Sequence, residues 1–248
     1  ASLAGLESYL TYDHQSAGLA GTGSVSLVNG NLIFSHADTA MKGNRLPVSV
    51  THYYNSCDSD KDEFGMGYGW RTSLHQTLHK VLIQKIQDAV GNEVTVTAVA
   101  DAPLKIASVT DGADRVTTFH YTDGRCDRIQ TPWQDAKNCV RFKYENGALV
   151  KILHEDNRAS EYVYNEEIGY HLLKKAYGAD GAFVEYAYTN TGKNRVDGLP
   201  HCITHATVTG MKNDETLTAA NVSYTYGNHM TLVKDEISGK TLRYHFND

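Results

Sequence analysis

VRFKYENGALVKIL, residues 140–153, reads as a strand, a two-residue turn and a returning strand. Val140, Phe142 and Tyr144 alternate with Arg141, Lys143 and Glu145, which sets the apolar side chains on one face of a pleated strand. Asn146-Gly147 supplies the positive φ angles of a tight type I′ turn. Beyond it, Ala148, Val150 and Ile152 alternate with Leu149, Lys151 and Leu153, so both faces of the return strand carry apolar groups. That pattern predicts a sheet with neighbours on both sides.

The same device recurs along the chain. An aromatic-x-aromatic pair appears as Phe119/Tyr121, Phe142/Tyr144, Tyr162/Tyr164, Tyr186/Tyr188, Tyr224/Tyr226 and Tyr244/Phe246. The second aromatics are separated by 23, 20, 24, 38 and 20 residues, the 38 leaving room for an insertion or an extra hairpin. A unit of this size fits two strands and two short turns. Turn-forming segments at Asp123-Gly124, 134–137, Asn146-Gly147, 155–157, 165–169, 178–181 and 189–192 fall between the predicted strands, at the rhythm of a meander. Consecutive strands on short turns lie antiparallel and adjacent. Residues 114–192 therefore predict an up-and-down sheet with aromatics at equivalent places in successive hairpins.

Residues 1–75 read as a separate β entry region and residues 76–248 as the hairpin sheet, together one continuous structural unit. The entry region has its own hairpin around Asn29-Gly30 and an alternating stretch from Leu46 to Tyr54. The charged run Asp58 to Glu63 and the glycine-rich Gly65 to Arg71 predict a surface loop that leads to a close backbone approach beside a buried Trp70. Leu74 to Asp88 shows weak helical spacing, but its neighbours favour strand.

Composition narrows the function. The chain of 248 residues is long enough for a sizeable core, and its 16 tyrosines suit half-buried sheet surfaces. A formal charge of -6 offers no dense basic surface to nucleic acid. No apolar run reaches the roughly 18 to 20 residues of a membrane helix, and the first residues lack a signal-peptide layout, so an exported parent implies an excised piece. Cys57, Cys126, Cys139 and Cys202 show no zinc-ligand spacing. Cys126 with Cys139 is the most plausible disulfide pair, and buried thiols are the plainer reading.

The unit Phe142 to Leu149, together with Phe119-His120-Tyr121-Thr122-Asp123-Gly124-Arg125, resembles the YD repeat of RHS proteins, teneurins and the C components of bacterial toxin complexes. Gly5 to Tyr9, Ala20 to Gly23, Asn29 to Leu32 and Gly67-Tyr68-Gly69-Trp70-Arg71 resemble the entry segment that precedes those repeats. The resemblance implies a large spiral sheet that encloses a toxic C-terminal cargo or presents an adhesive surface. It also implies a bacterial, secreted or cell-surface parent, of which this chain is a fragment without its signal peptide. Family shells use many more repeats, so this chain alone predicts an open or partly curled sheet. The Asp-Pro-x-Gly motif of the RHS core, with its self-cleaving aspartate, is missing here.

Other candidate chemistry is thin. Asp58 to Glu63 places acids at calcium-loop positions, but Glu63 stands where glycine is needed and Gly69 where glutamate is needed. His154-Glu155-Asp156 and the His75/His79 pair lack a nucleophile or metal motif around them. Gly21-Thr22-Gly23 lacks the elements of a phosphate cradle and reads as a turn. The tyrosine ladder offers rings to a glycan face, and the plainer reading is that the rings pack across strands into a continuous stripe and fix register. Trp133, after Pro132, is the aromatic most open to a ligand.

The expectation is an all-β fold of repeated antiparallel hairpins, a twisted, partly curled sheet or a fragment of a β-shell. Its role is structural and non-catalytic, with no cofactor, metal or nucleic acid. Expected partners are the remainder of a longer chain, an enclosed toxin cargo, or a cell-surface glycan if the chain is a carbohydrate-binding or adhesion module. Unpaired sheet edges add possible self-association.

Overall fold

The structure is a computed structural model and describes residues 10–41, 43, 45–75, 77–78, 81–167, 170–189 and 201–246. Gly5 to Tyr9, His79, Gly169 and residues 190–192 lie outside that set.

The chain is all-β and antiparallel. Five strands make a first sheet in sequence order: β1 (Tyr12–Ser16), β2 (Thr22–Ser26), β3 (Leu32–Ala40), β4 (Ser49–Asn55) and β5 (Trp70–Thr72). A short ribbon of β6 (Thr77–Leu78) and β7 (Val81–Leu82) follows, so Leu74 to Asp88 is broken into short strands. A 14-stranded sheet, also in strict sequence order, then runs through the rest of the chain. It starts with β8 (Lys85–Gln87), β9 (Glu93–Val99), β10 (Ala102–Thr110), β11 (Val116–Thr122), β12 (Arg125–Gln130), β13 (Val140–Glu145) and β14 (Ala148–Leu153). It continues with β15 (Ala159–Glu167), β16 (Tyr170–Gly178), β17 (Phe183–Tyr188), β18 (Ile203–Lys212), β19 (Glu215–Gly227), β20 (Met230–Asp235) and β21 (Thr241–His245). Asp123-Gly124 and Asn146-Gly147 turn the chain with φ of 50°, 79°, 48° and 83°, the left-handed pairs a type I′ turn requires. Part of the 38-residue interval between Tyr188 and Tyr226 is taken up by the lengthened β18–β19 hairpin, whose tip, residues 211–219, is exposed.

The hairpins carry a device that alternation alone does not reveal. Tyr121 pairs with Cys126, Tyr144 with Leu149, Tyr164 with Leu173 and Tyr188 with Ile203, and the register slips by one residue just before each pair. Each slip is a β-bulge, which reverses the in-out alternation of everything beyond it. The inward residues of the return strands are therefore three apart: Cys126 and Ile129, Leu149 and Ile152, Leu173 and Ala176, Ile203 and Ala206, all fully buried. This corrects the expectation of neighbours on both sides of the 148–153 strand. Leu149 and Ile152 face the same way because a bulge lies between them, and the remaining face is largely polar, laced by Lys151–Glu161 and Lys175–Glu185 ion pairs.

The first sheet lies against the inward face of the second, and one continuous apolar core joins them, including Phe34, Tyr54, Met66 and Trp70 from one side and Phe142, Ile152, Tyr162 and Tyr186 from the other. Fully burying such a ring contributes about 1.5 to 3 kcal/mol. Gly21-Thr22-Gly23 is not a turn: Thr22 and Gly23 open β2, where a Cβ on Gly23 would lie 1.7 Å from the Tyr186 hydroxyl. Nor do residues 64–70 form a surface loop. Phe64 to Gly67, Gly69 and Trp70 are buried because this segment is wedged between its own sheet and the repeat turns.

Candidate functional site

The seam between the sheets is where the repeat residues converge. The first aromatic of five of the six pairs, Phe119, Phe142, Tyr162, Tyr186 and Tyr224, is buried in it. Tyr162 donates its hydroxyl to Ala20 O at 2.8 Å, Phe142 packs 4.6 Å from the His52 ring, and Gln15 donates to the Tyr224 oxygen at 3.0 Å while facing Tyr186. The rings do not stack hairpin upon hairpin as a continuous stripe among the described residues. Among the described residues their close ring neighbours come mainly from the first sheet, as in Tyr162 against Phe34 and Trp70, and Tyr164 against Tyr54. Tyr224 with Tyr226 is a pair within one strand.

The second aromatics act through their hydroxyls. Tyr121 donates to Ile106 O (2.9 Å), Tyr144 to Cys126 O (2.8 Å), Tyr164 to Leu149 O (2.5 Å), Tyr188 to Leu173 O (2.9 Å) and Tyr226 to Ile203 O (2.7 Å). Every acceptor sits at a register slip of the preceding strand. A bulge leaves a backbone group outside the ladder, and a buried group of that kind costs about 1 to 3 kcal/mol unless it finds a partner. Each hairpin therefore supplies the missing partner for the one before it. Burial pushes the Tyr144, Tyr164 and Tyr188 phenols well above their ordinary range, which keeps them protonated donors. Tyr244 and Phe246 are half-buried at the last strand, packed against the core edge.

The first sheet and its loops satisfy the amide side of three of these bulges. Cys126 N donates to Gly65 O at 2.7 Å, Leu173 N to the Tyr54 hydroxyl at 3.0 Å and Ile203 N to Gly30 O at 2.9 Å. Tyr54 in turn donates to His171 O, Tyr68 N bonds Gly147 O, and the Trp70 indole donates to the Tyr164 oxygen at 2.8 Å. These bulge residues and their capping carbonyls are what sequence reading missed. The signal was present as apolar residues at spacing three inside strands of period two.

A polar cluster interrupts the seam. Asp38, at a bulge of β3, receives His36 Nδ1 at 2.8 Å on one oxygen and His52 Nδ1 on the other, and its side chain is fully buried. Burial works to raise the Asp38 carboxyl, and the two imidazoles, His52 first, outweigh it and hold the group below the usual carboxylate range. Across the seam, Ser160 Oγ lies 3.4 Å from His36 Nε2 and 3.0 Å from His154 Nε2, and donates to Leu19 O at 2.8 Å. The Ser-His-Asp order lacks an accessible nucleophile, since Ser160 is fully buried with its proton committed to a carbonyl. His75 is also buried, its Nδ1 accepting from Thr72 N at 3.0 Å, and burial pushes it down to about 3.

The remaining candidates lie apart from the seam chemistry. Asp58 pairs with Arg71 at 2.5 Å and Lys61 at 3.2 Å, while Asp62 accepts Gly67 N and Arg125 Nε, so these acids serve cations and backbone of their own chain. Among the described residues no group of three or more His, Cys, Asp or Glu side chains is placed to hold a metal ion. Cys126 and Cys139 are separate thiols facing different carbonyls, those of Arg128 and Ala136, and are not joined. Cys202 is buried and Cys57 half-buried. Trp133 is 60% exposed, with the Arg115 guanidinium 6.0 Å from its ring centre. No helix among the described residues is long and apolar enough to cross a membrane.

Residues 22–97, from β2 to β9, match the model of a family described as a domain of unknown function (DUF6531). No curated protein matches the chain. Among solved structures, the one titled "Crystal Structure of TcdB2-TccC3-Cdc42" aligns at 8% identity with a TM-score of 0.25. The alignment covers 90% of this chain and 14% of that one, so the chain spans about a seventh of that structure's length.

Proposed function

We propose that this chain is a non-catalytic structural segment of an RHS/YD-repeat protein, working without a cofactor as part of an encapsulating shell or cell-surface scaffold. The observation that carries the reading is the hydroxyl-to-bulge series. The polar tips of Tyr121, Tyr144, Tyr164, Tyr188 and Tyr226 are all spent holding one hairpin to the previous one, which is the work of a wall and leaves them unavailable to a ligand. Its partners are then the remainder of a longer chain and a C-terminal toxin cargo inside it, in a bacterial parent that is secreted or displayed at the surface.

The test is protease protection in the full-length parent. The C-terminal cargo should resist digestion in the wild type and become cleavable when Tyr164 and Tyr188 are both changed to Phe. Equal cleavage of cargo in the two proteins would overturn the reading. A second reading, a carbohydrate-binding or adhesion module, rests on the exposure of Trp133. Glycan-array binding by the wild type that disappears in Trp133→Ala would favour it over the wall.

A further inference from the structure

The outward face of the repeat sheet carries a row of side chains that the tyrosine hydroxyls do not use. Cross-strand partners share a face, so register alone assembles it. Lys143 of β13 pairs with Lys151 of β14, Lys151 with Glu161, Glu161 with Tyr177, and Tyr177 with Phe183 of β17. Beside the basic end, Arg128 of β12 stands directly opposite Arg141, the next outward residue of β13 before Lys143. Four steps of strand spacing make the row about 19 Å long.

Two like-charged pairs side by side work against the sheet that holds them, and the chain offsets them only in part. Among the described residues their ion pairs are Asp127 to Arg128 at 3.3 Å and Glu161 to Lys151 at 3.0 Å. Arg141 bonds only to the neutral amide oxygen of Asn157, and Lys143 is exposed. The Nε atoms of Arg128 and Arg141 are buried with no acceptor among the described residues, so part of each guanidinium is withdrawn from water uncompensated. A surplus of positive charge thus collects on a chain whose formal charge is -6.

The far end of the row is aromatic. Tyr177 and Phe183 are half-buried neighbours, and together with Val163, Lys175 and Gly181 they line an open depression of about 290 Å³. The Lys175 ammonium lies 4.0 Å from the centre of the Phe183 ring, with Glu185 at 3.8 Å, beyond hydrogen-bond reach. Cations short of anions, followed in one row by rings open to solvent, match a ligand with acid groups and apolar C–H faces. A slight surplus of charge is little for nucleic acid, which is held through many phosphates, and a run of acidic side chains offers the rings nothing.

We propose that this outward row binds an acidic polysaccharide, with Arg128, Arg141 and Lys143 holding its sulfate or carboxylate groups and Tyr177 and Phe183 meeting its sugar faces. The surface goes beyond the wall, because the hydroxyl series works on the inward face, and it does not involve Trp133.

The test is calorimetric titration of the wild-type chain at physiological salt with four probes of matched length: a dextran sulfate oligosaccharide, neutral dextran, polyglutamate and single-stranded DNA. The sulfated dextran should bind most tightly. Arg141→Gln, Lys143→Gln and Phe183→Ala should each weaken it by about three- to tenfold, whereas Lys85→Gln on β8 and Trp133→Ala should leave it unchanged. Lys143 is exposed, so its variant keeps the test decisive even if Arg141→Gln does not fold. The proposal is overturned by a sulfated probe that does not bind, by equal binding of any of the other three, or by binding indifferent to Lys143→Gln and Phe183→Ala. Loss confined to Trp133→Ala would also overturn it, and would move glycan binding to the other aromatic.

Discussion

Tyr164→Phe removes one oxygen and nothing else, and the structure states what that oxygen does. It donates to Leu149 O at 2.5 Å and accepts the Trp70 indole N–H at 2.8 Å. Leu149 is fully buried and Trp70 is 1% exposed, so water cannot replace the lost partner of either group without opening the seam. At about 1 to 3 kcal/mol for each of the two buried groups left unsatisfied, the variant should lose about 2 to 6 kcal/mol. Urea unfolding measures this directly. With an m-value near 3 kcal/mol/M, the midpoint falls by about 0.7 to 2 M with its slope unchanged. Tyr177→Phe is the control, because that hydroxyl meets Glu161 on the solvent-facing side, where its removal should change stability by less than about 0.5 kcal/mol. If Tyr164→Phe proves as mild as Tyr177→Phe, the hydroxyls do not hold the bulges and the account of the repeat fails.

Other expected outcomes follow from the same packing. Tyr144→Ala should cost about 3 to 5 kcal/mol in the same melts, since the ring packs on the core and its hydroxyl serves Cys126 O. Gly67→Ala places a Cβ 2.9 Å from Leu149 N at a φ of +90°, and should cost about 2 to 4 kcal/mol, read as a drop in Tm of about 4 to 16 °C. His75 is pushed down from 6.5 to about 3, so the unfolded chain binds the extra proton between those values. Stability should therefore fall as pH drops from 6.5 towards 3, by up to about 1.4 kcal/mol per pH unit from this group, and His75→Asn should lessen that slope. Burial raises the Cys126 thiol, so iodoacetamide should label it in urea and spare it in the native protein.

The meander was legible because its causes are local. Alternation in Val140 to Glu145 and the Asn-Gly turn specify a hairpin with no help from the rest of the chain, and short turns force neighbours to pair. The bulges were not read, although Leu149 and Ile152 announce one, because a spacing of three within a strand is ambiguous until the partner strand is known. The burial of Phe64 to Gly67 was hidden for a different reason. A charged run followed by glycines looks like solvated loop, and only the arrival of the Gly147 and Leu149 backbone, from eighty residues downstream, shows why side chains are absent there. The Asp38 cluster was equally out of reach, since its members come from three separate stretches of sequence.

The hydroxyl series has a direction. Each tyrosine from Tyr121 to Tyr226 reaches towards the amino-terminal neighbour, so a hairpin completes its predecessor and is itself completed only by its successor. A ribosome delivers the chain in that order, with the five-stranded sheet emerging first as the template on which Gly65, Tyr54 and Gly30 wait for amides. Shortening the protein from its carboxyl end should then leave only the last remaining hairpin with an uncapped bulge carbonyl, whereas deleting one near Phe119 should take that cap from its predecessor and the acceptor from its successor.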